Sequence, residues 1–109
     1  MNQLLAHYLV DVEFPDVSGM EHIQMLQIRD EIATVEATFP PTESQKLAAA
    51  DKRLLEQASD FYAELSRFID LAEQRQTHHI SPDHWWWYLD VLAQLPAGVL
   101  AHAEQAIPA

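Results

Sequence analysis

The feature that most constrains the fold is the stretch of residues 42–75, which contains no glycine and no proline. Most of its apolar residues recur every three or four positions, as one face of an α-helix requires. They are Leu47, Leu54, Ala58, Phe61, Leu65, Phe68, Ile69 and Ala72. Thr42 and Gln45 form a capping box directly after Pro40 and Pro41, which end the preceding element. The pattern therefore predicts one helix from Thr42 to Arg75, about 45 Å long at 1.5 Å per residue.

Shorter helical patterns flank this stretch on both sides. Residues 2–12 have helical spacing; they also alternate well enough for a strand, but no second strand is available to pair with it. Ser18 and Glu21 form a capping box that opens a helix over residues 18–39, which is apolar on two sides. Ser81 and Pro82 are a strong helix start and predict a helix over residues 82–95. Residues 99–107 add one or two further turns.

The composition supports a fold built only from helices. The chain has 109 residues, of which 49% are hydrophobic, and this suits one domain over residues 1–109 with a buried core. Two glycines are too few for a turn-rich β architecture. The absence of cysteine excludes disulfides, zinc–thiolate sites and thiol nucleophiles. We therefore predict an all-α fold, an elongated antiparallel bundle of four or five helices around the long central helix.

The charge balance restricts the kind of partner. Six Lys and Arg residues stand against seventeen Asp and Glu residues, which gives a formal net charge of −11. A nucleic-acid backbone or an anionic membrane would be repelled, because each requires a basic patch. The acidity suits a protein partner with a basic surface. No secretory signal and no apolar stretch of about 20 residues is visible, so we expect a soluble cytoplasmic protein.

The only cluster of residue types that suits a metal ion is formed by His78, His79, Asp83 and His84. These residues lie around the predicted start of the helix over residues 82–95, where their side chains would converge. The competing interpretation is a solvated loop in which Asp83 complements the helix dipole. The cluster lacks the His-x-x-x-His pair of a helical metal site, which favours the loop.

No catalytic motif is present. The acids of the long helix lie opposite its apolar face, except Asp51, and no glycine-rich anion loop or nucleophilic triad is found. We therefore expect no enzyme activity and no cofactor. The favoured function is a small acidic adaptor, assembly factor or regulator that binds another protein. The alternatives are an acidic nucleic-acid mimic that blocks a basic nucleic-acid-binding protein, and a weak His/Asp metal-binding protein.

The long helix has more apolar face than its shorter neighbours can cover, which predicts a homodimer. Its interface would include Leu47 and Leu54 at one end of the helix, or Phe68 and Ile69 at the other. The alternative is a compact monomer in which the N-terminal helix covers this face.

The run Trp85-Trp86-Trp87-Tyr88 spans too wide an arc to fit one buried stripe of an α-helix. At about 100° per residue, Trp85 faces the core, Trp86 lies on the flank and Trp87 lies on the polar face. Exposed apolar patches often mark interaction sites. We therefore predict that Trp86 and Trp87 bind a partner; the alternative is that Val99, Leu100 and Ile107 cover them.

Overall fold

The computed structural model describes residues 1–95, and every regular element in this range is helical. The six α-helices are α1 (Gln3–Asp11), α2 (Gly19–Ala33), α3 (Pro41–Glu56), α4 (Ala58–Leu65), α5 (Leu71–His78) and α6 (Leu89–Leu92). A 3₁₀-helix, Glu36–Thr38, follows α2, and a second one, Trp85–Tyr88, directly precedes α6. The prediction of an all-α fold is therefore confirmed for the described part of the chain. The turns predicted over residues 99–107 lie outside it.

The single long helix predicted from Thr42 to Arg75 is wrong, because the structure divides this stretch into α3, α4 and α5. Gln57 leaves the helical conformation (φ −111°, ψ 24°), and α4 starts directly after it. Beyond α4, the Asp70 side chain accepts a hydrogen bond from the amide of Glu73 and opens α5. A straight helix of about 45 Å would also exceed the longest dimension of the molecule, 35 Å.

The divided helices form a globule and not an elongated bundle. Its extents are 35 × 29 × 27 Å and its radius of gyration is 13.2 Å. Helix α1 packs against α2 and α3, α2 packs against α4, and α4 packs against α6. The core lies between these helices and is built from Leu5, Tyr8, Met25, Leu26, Ile32, Leu54, Phe61, Leu65, Trp86 and Leu89. The predicted elongated bundle around one central helix is therefore wrong.

Side-chain caps fix the first two helices where the sequence predicts them. The Asn2 side chain accepts hydrogen bonds from the amides of Leu4 and Leu5, and the Ser18 hydroxyl accepts one from the amide of Met20. Each bond satisfies an amide that the first turn of a helix leaves without a partner. None of the helices within residues 1–95 is both long enough and apolar enough to span a membrane.

The helix predicted over residues 82–95 is replaced by a turn, the 3₁₀-helix Trp85–Tyr88 and the short helix α6. We call Trp85–Tyr88 the tryptophan segment. A 3₁₀-helix has three residues per turn, so its consecutive side chains point about 120° apart. The α-helical angles used to place the tryptophans therefore do not apply.

Candidate functional site

The tryptophan segment is organised around one carboxylate, that of Asp30 in α2. The Nε1 atom of Trp86 donates a hydrogen bond to Asp30 Oδ1 at 2.8 Å, and Trp87 Nε1 lies 2.9 and 3.0 Å from the two oxygens of the same carboxylate. The Nδ1 atom of His84 lies 2.9 Å from Asp30 Oδ1. One acid on α2 therefore holds three side chains, those of His84, Trp86 and Trp87, and ties the segment to the core.

The prediction that Trp86 and Trp87 face a partner is wrong. They are only 2% and 5% exposed, and the residues described here are enough to bury them. Burying an indole requires a partner for its N–H group, and Asp30 supplies one to both rings. The α-helical angles placed Trp87 on a polar face, but in the structure Trp87 packs towards Asp30 of α2. Val99, Leu100 and Ile107, the predicted alternative cover, lie outside the described residues.

Next to Asp30, the buried side chain of Arg29 joins α1, α2 and α3. Its Nε and Nη2 atoms donate to the two oxygens of Asp51 at 3.0 and 3.1 Å. The Tyr8 hydroxyl donates to Asp51 Oδ1 at 2.6 Å. The Arg29 guanidinium also lies over the Trp86 ring, 4.3 Å from its centroid. This two-point Arg–carboxylate geometry is the strongest that an ion pair adopts in proteins.

The pKa values of Tyr8 and Arg29 are both shifted in this network. Burial, together with the Asp51 carboxylate, raises the pKa of Tyr8 well above its usual value, so the phenol stays neutral. Burial opposes the charge on Arg29, but the hydrogen bonds and charge of Asp51 outweigh it and raise the pKa of Arg29. Together these contacts of Asp51 connect α1, α2 and α3 through one buried ion pair.

The four predicted metal ligands do not converge. His78 ends α5, and His79 follows it with a left-handed backbone (φ 51°). Asp83 is exposed on the turn beyond, while His84 is engaged by Asp30. Within residues 1–95, no group of three or more His, Asp or Glu residues is arranged to hold a metal ion. The predicted metal cluster is therefore wrong. Helix α5 extends three residues past Arg75, so His78 belongs to this helix and not to the loop in which the four ligands were expected to meet.

The structure contradicts one of the two sets of residues that were predicted for a dimer interface. Leu47 and Leu54 are buried in the core of their own chain, because α1 packs over α3. Their assignment to an interface is therefore wrong. At the other end, Phe68 is exposed and Ile69 is partly buried. Self-association through Phe68 and Ile69 stays a prediction.

A different apolar surface lies where α1 meets α2. Val10 and Phe14 are exposed, and they line a cavity of about 140 Å³ together with Asp11, Val17, Glu21 and His22. Met20 and Phe68 are exposed as well, and Met20 directly precedes Glu21 of the cavity lining. A Cβ atom on Gly19 would come within 2.6 Å of the Phe68 ring, so this ring packs directly on the backbone at the start of α2. We call Val10, Phe14, Met20, Phe68 and the cavity the α1–α2 surface.

Asp11 is the unusual group in this cavity. Its Oδ2 atom is buried and accepts no hydrogen bond from any described group, although His7 Nε2 lies 3.4 Å away. Burial raises the pKa of Asp11; Glu21 adds to this effect, while His7 and His22 oppose it. By contrast, the buried ring of His22 is satisfied, because its Nε2 atom lies 3.0 Å from the carbonyl oxygen of Pro15.

The basic residues are largely used inside the molecule. Five of the six form an ion pair within residues 1–95, namely Arg29 with Asp51, Lys52 with Glu56, Arg53 with Glu13, Arg67 with Glu64, and Arg75 with Asp90. Lys46 lines a second cavity, of about 200 Å³, between α1 and α3. The carboxylates of Asp16, Glu21, Glu31, Asp60, Glu73 and Asp83 have no ion-pair partner in the described part of the chain and are exposed. The surface of the described globule is therefore predominantly acidic.

The α1–α2 surface was not identified from the sequence, although the sequence holds one sign of it. Asp11 interrupts an otherwise apolar helix four residues after His7, a spacing that places the two side chains together. Phe14 and Val17 fall in the connection to α2, for which a periodic pattern predicts no orientation. Comparison of the chain with protein-family models, with curated proteins and with solved structures found no match.

Proposed function

We propose that this chain is a non-enzymatic adaptor, assembly factor or regulator that binds a protein with a basic surface. The observation that carries the proposal is the α1–α2 surface, where exposed apolar side chains border acids in a molecule whose cations are used internally. Exposed apolar groups mark interaction sites when they adjoin one another and are rimmed by polar residues.

The charge distribution supports a basic partner in particular. Asp11 and Glu21 both line the cavity. Complementary charge at the rim of an interface raises the association rate and rejects wrongly charged partners, while the apolar contacts determine how long the complex lasts. An acidic apolar surface of this kind recognises a segment that presents both cations and apolar side chains.

Two valines of similar exposure provide a matched test. Val10 on the α1–α2 surface is 57% exposed, and Val91 on α6 is 48% exposed. The wild-type protein, Val10→Lys and Val91→Lys are immobilised and used to capture proteins from an extract of the source organism. The captured partner is then purified, and its affinity for each variant is measured by isothermal titration calorimetry.

We expect Val10→Lys to weaken the purified complex about tenfold or more, since it places a cation against a basic surface and removes an apolar contact. Val91→Lys should leave the affinity almost unchanged. The wild-type affinity should fall as sodium chloride is raised, because the salt screens exposed charges. A partner with an acidic surface, or equal losses in both variants, contradicts the proposal. Displacement of DNA or RNA from the partner would favour the nucleic-acid mimic instead.

A further inference from the structure

The second cavity, between α1 and α3, differs from the α1–α2 cavity in its charge. Apolar side chains from both helices line it together with two cations and one acid; the lining is Leu9, Val12, Glu13, Lys46, Ala49, Ala50 and Arg53. Val12 and Ala50 are buried, at 1% and 4% exposure, whereas Lys46 and Ala49 are exposed. On a chain of net charge −11, this cavity is a local exception, because cations outnumber acids in its lining.

Lys46 carries the available charge of the second cavity. The other five basic residues form ion pairs within residues 1–95, and Lys46 forms none with any residue in this range. Glu43, one turn away on α3, is at the usual spacing for a partner, but it accepts a hydrogen bond from the amide of Asn2 at 3.2 Å. The other positions three or four residues from Lys46 hold uncharged side chains, namely Thr42, Ala49 and Ala50. Lys46 can therefore pair with an acid from another molecule.

The one acid in the lining is paired with Arg53 and not with Lys46. Glu13 Oε2 lies 3.4 Å from Arg53 Nε, and the same nitrogen donates a hydrogen bond to the carbonyl oxygen of Val12 at 3.1 Å. Arg53 thus connects α3 to the end of α1. Lys46 remains as a cation beside an apolar surface.

We propose that the second cavity binds an acidic peptide segment of a protein partner. A glutamate side chain of that segment pairs with Lys46, and an aliphatic neighbour packs on Leu9 and Ala49. Apolar contacts and a complementary charge together select a ligand that presents both kinds of group, since each alone contributes little specificity.

The size of the cavity favours a peptide over a lipid. A cavity of about 150 Å³ holds one benzene molecule, and the second cavity has a volume of about 200 Å³. It can therefore take an aliphatic side chain and a carboxylate group, but it cannot enclose a long acyl chain. The small side chains of Ala49 and Ala50 also allow a peptide backbone to approach α3 closely.

This inference goes beyond the proposed function, which concerns the opposite charge and the other cavity. Val10 and Asp11 of α1 line the α1–α2 cavity, while Leu9 and Val12 line the second cavity. Helix α1 thus contributes to both. An adaptor with one acidic and one basic surface can join two partners of opposite charge.

The test uses the peptide acetyl-Leu-Glu-Leu-amide, titrated into the ¹⁵N-labelled full chain in about 150 mM sodium chloride and followed by amide chemical shifts. The matched peptide replaces glutamate with glutamine, which has the same shape and no charge. Because the chain has a net charge of −11, its overall field favours the neutral peptide. A preference for the glutamate peptide therefore reports nearby cations.

Two pairs of variants on α3 separate charge from shape. Lys46→Gln removes the proposed cation, and Lys52→Gln removes the same charge outside the cavity lining. Ala49→Gln fills the cavity without changing the charge, and Ala48→Gln adds the same side chain at a position that does not line it. All four positions are exposed, so the variants should keep the fold, which circular dichroism checks.

We expect the glutamate peptide to shift the amides of Leu9, Lys46 and Ala49 and to bind about threefold more tightly than the glutamine peptide. The preference is small because an exposed ion pair is screened by solvent. Lys46→Gln should abolish this preference, whereas Lys52→Gln should retain it. Ala49→Gln should weaken the glutamate peptide about fivefold or more by overfilling the contact, and Ala48→Gln should not.

Equal or tighter binding of the glutamine peptide to the wild-type chain would overturn the inference, as would shifts centred on Val10 and Phe14. Equal losses in Lys46→Gln and Lys52→Gln would overturn it too, since the effect would then come from the general charge. Light scattering tests for a second copy in the cavity; a dimer that Lys46→Gln dissociates would overturn the assignment to a partner. None of these variants alters the α1–α2 surface, so capture with Val10→Lys tests the proposed function independently.

Discussion

At the junction of α2 with the tryptophan segment, Asp30 accepts hydrogen bonds from two indole N–H groups. Asp51 likewise is fully engaged, by Arg29 and Tyr8. In α1, by contrast, the Asp11 Oδ2 atom accepts none from residues 1–95, and its nearest cationic group is His7 at 3.4 Å. In the first region, each acid links elements that are far apart in the chain. In the second, an acid is desolvated without linking anything beyond its own helix.

Asp90, which is paired with Arg75, and Asp11, which has no arginine beside it, also differ in the direction of their pKa shifts. Burial opposes ionisation of Asp90, but the hydrogen bonds and charge of Arg75 outweigh it and lower the pKa of Asp90. Burial raises the pKa of Asp11, and no such partner reverses the effect. At neutral pH the lowered pKa of Asp90 therefore favours the folded state, while the raised pKa of Asp11 disfavours it.

The largest effect should follow from breaking the Arg29 pair. Arg29 is 4% exposed, so Arg29→Met leaves the Asp51 charge without its partner. We expect the free energy of unfolding to fall by about 3–5 kcal/mol, the range for removing one member of a buried ion pair. Urea denaturation, followed by circular dichroism, measures this loss.

The double variant Arg29→Met/Asp51→Asn separates loss of charge pairing from loss of packing. It removes the stranded charge but keeps an oxygen for the Tyr8 hydroxyl, so it should be more stable than Arg29→Met alone. If Arg29→Met unfolds no more easily than wild type, the Arg29–Asp51 pair does not stabilise the packing of α2 on α3.

The next prediction concerns the tryptophans. Trp87 is buried and hydrogen-bonded to Asp30, whereas Trp85 is only partly buried. Trp87→Ala should therefore destabilise the fold by about 3–5 kcal/mol, and Trp85→Ala by less. This order reverses the one that the α-helical angles of the sequence predict. Thermal unfolding of both variants measures this order. A larger loss of stability in Trp85→Ala than in Trp87→Ala would mean that Trp87 is not the more buried of the two side chains.

A smaller effect is expected where the α1–α2 surface meets α4. A Cβ atom at Gly19 would lie 2.4 Å from the backbone oxygen of Glu64, which cannot move aside as a flexible side chain can. Gly19→Ala should destabilise the protein by about 1–3 kcal/mol through overpacking. Met20→Ala, at the exposed neighbouring position, should change stability by about 0.5 kcal/mol or less. Equal stability of the two variants would show that α2 and α4 are not in close contact at Gly19.

The sequence predicts the helical class and several helix starts because these depend on local chemistry. Asn2, Ser18 and Asp70 each cap a helix through a side chain next to it. The Asp70 cap, followed by Glu73, is itself a sequence signal that divides the long apolar stretch, and the periodicity of that stretch obscured it. The break at Gln57 has no comparable signal. Only the backbone angles of Gln57 (φ −111°, ψ 24°) reveal it.

The buried network was partly visible in the sequence. Arg29 lies between Met25 and Ile32 on the apolar seam of α2, and Asp51 lies at the edge of the apolar face of α3. Opposite charges on two facing seams predict a pair, but neither helix alone shows which seams face each other. The α1–α2 cavity is less predictable still, because its walls come from a helix, a connection and a second helix. Periodicity predicts the faces of helices; it does not predict how a connection such as Phe14–Val17 lies across them.

The smallest predicted effect distinguishes the two kinds of acid by pH. Since the pKa of Asp11 is raised in the folded state, the folded protein holds this proton at pH values where the unfolded chain has lost it. Stability therefore falls as pH rises from the ordinary carboxyl pKa through the raised one, and the full penalty remains above it. Asp11→Asn removes the penalty and should be more stable than wild type at pH 8, by about 0.5–1 kcal/mol.

At pH 4 the advantage of Asp11→Asn should shrink, because protonated Asp11 carries no charge either. His7, Glu21 and His22 also act on the pKa of this carboxylate, but they are present in both proteins, so the comparison largely cancels their contribution. Glu31→Gln controls for the general relief of negative charge on a chain of net charge −11. Urea denaturation at the two pH values measures the difference. A destabilised Asp11→Asn at pH 8 would mean that its contact with His7 is structural, and Asp11 would then belong with Asp30 and Asp51 among the acids that hold the fold together.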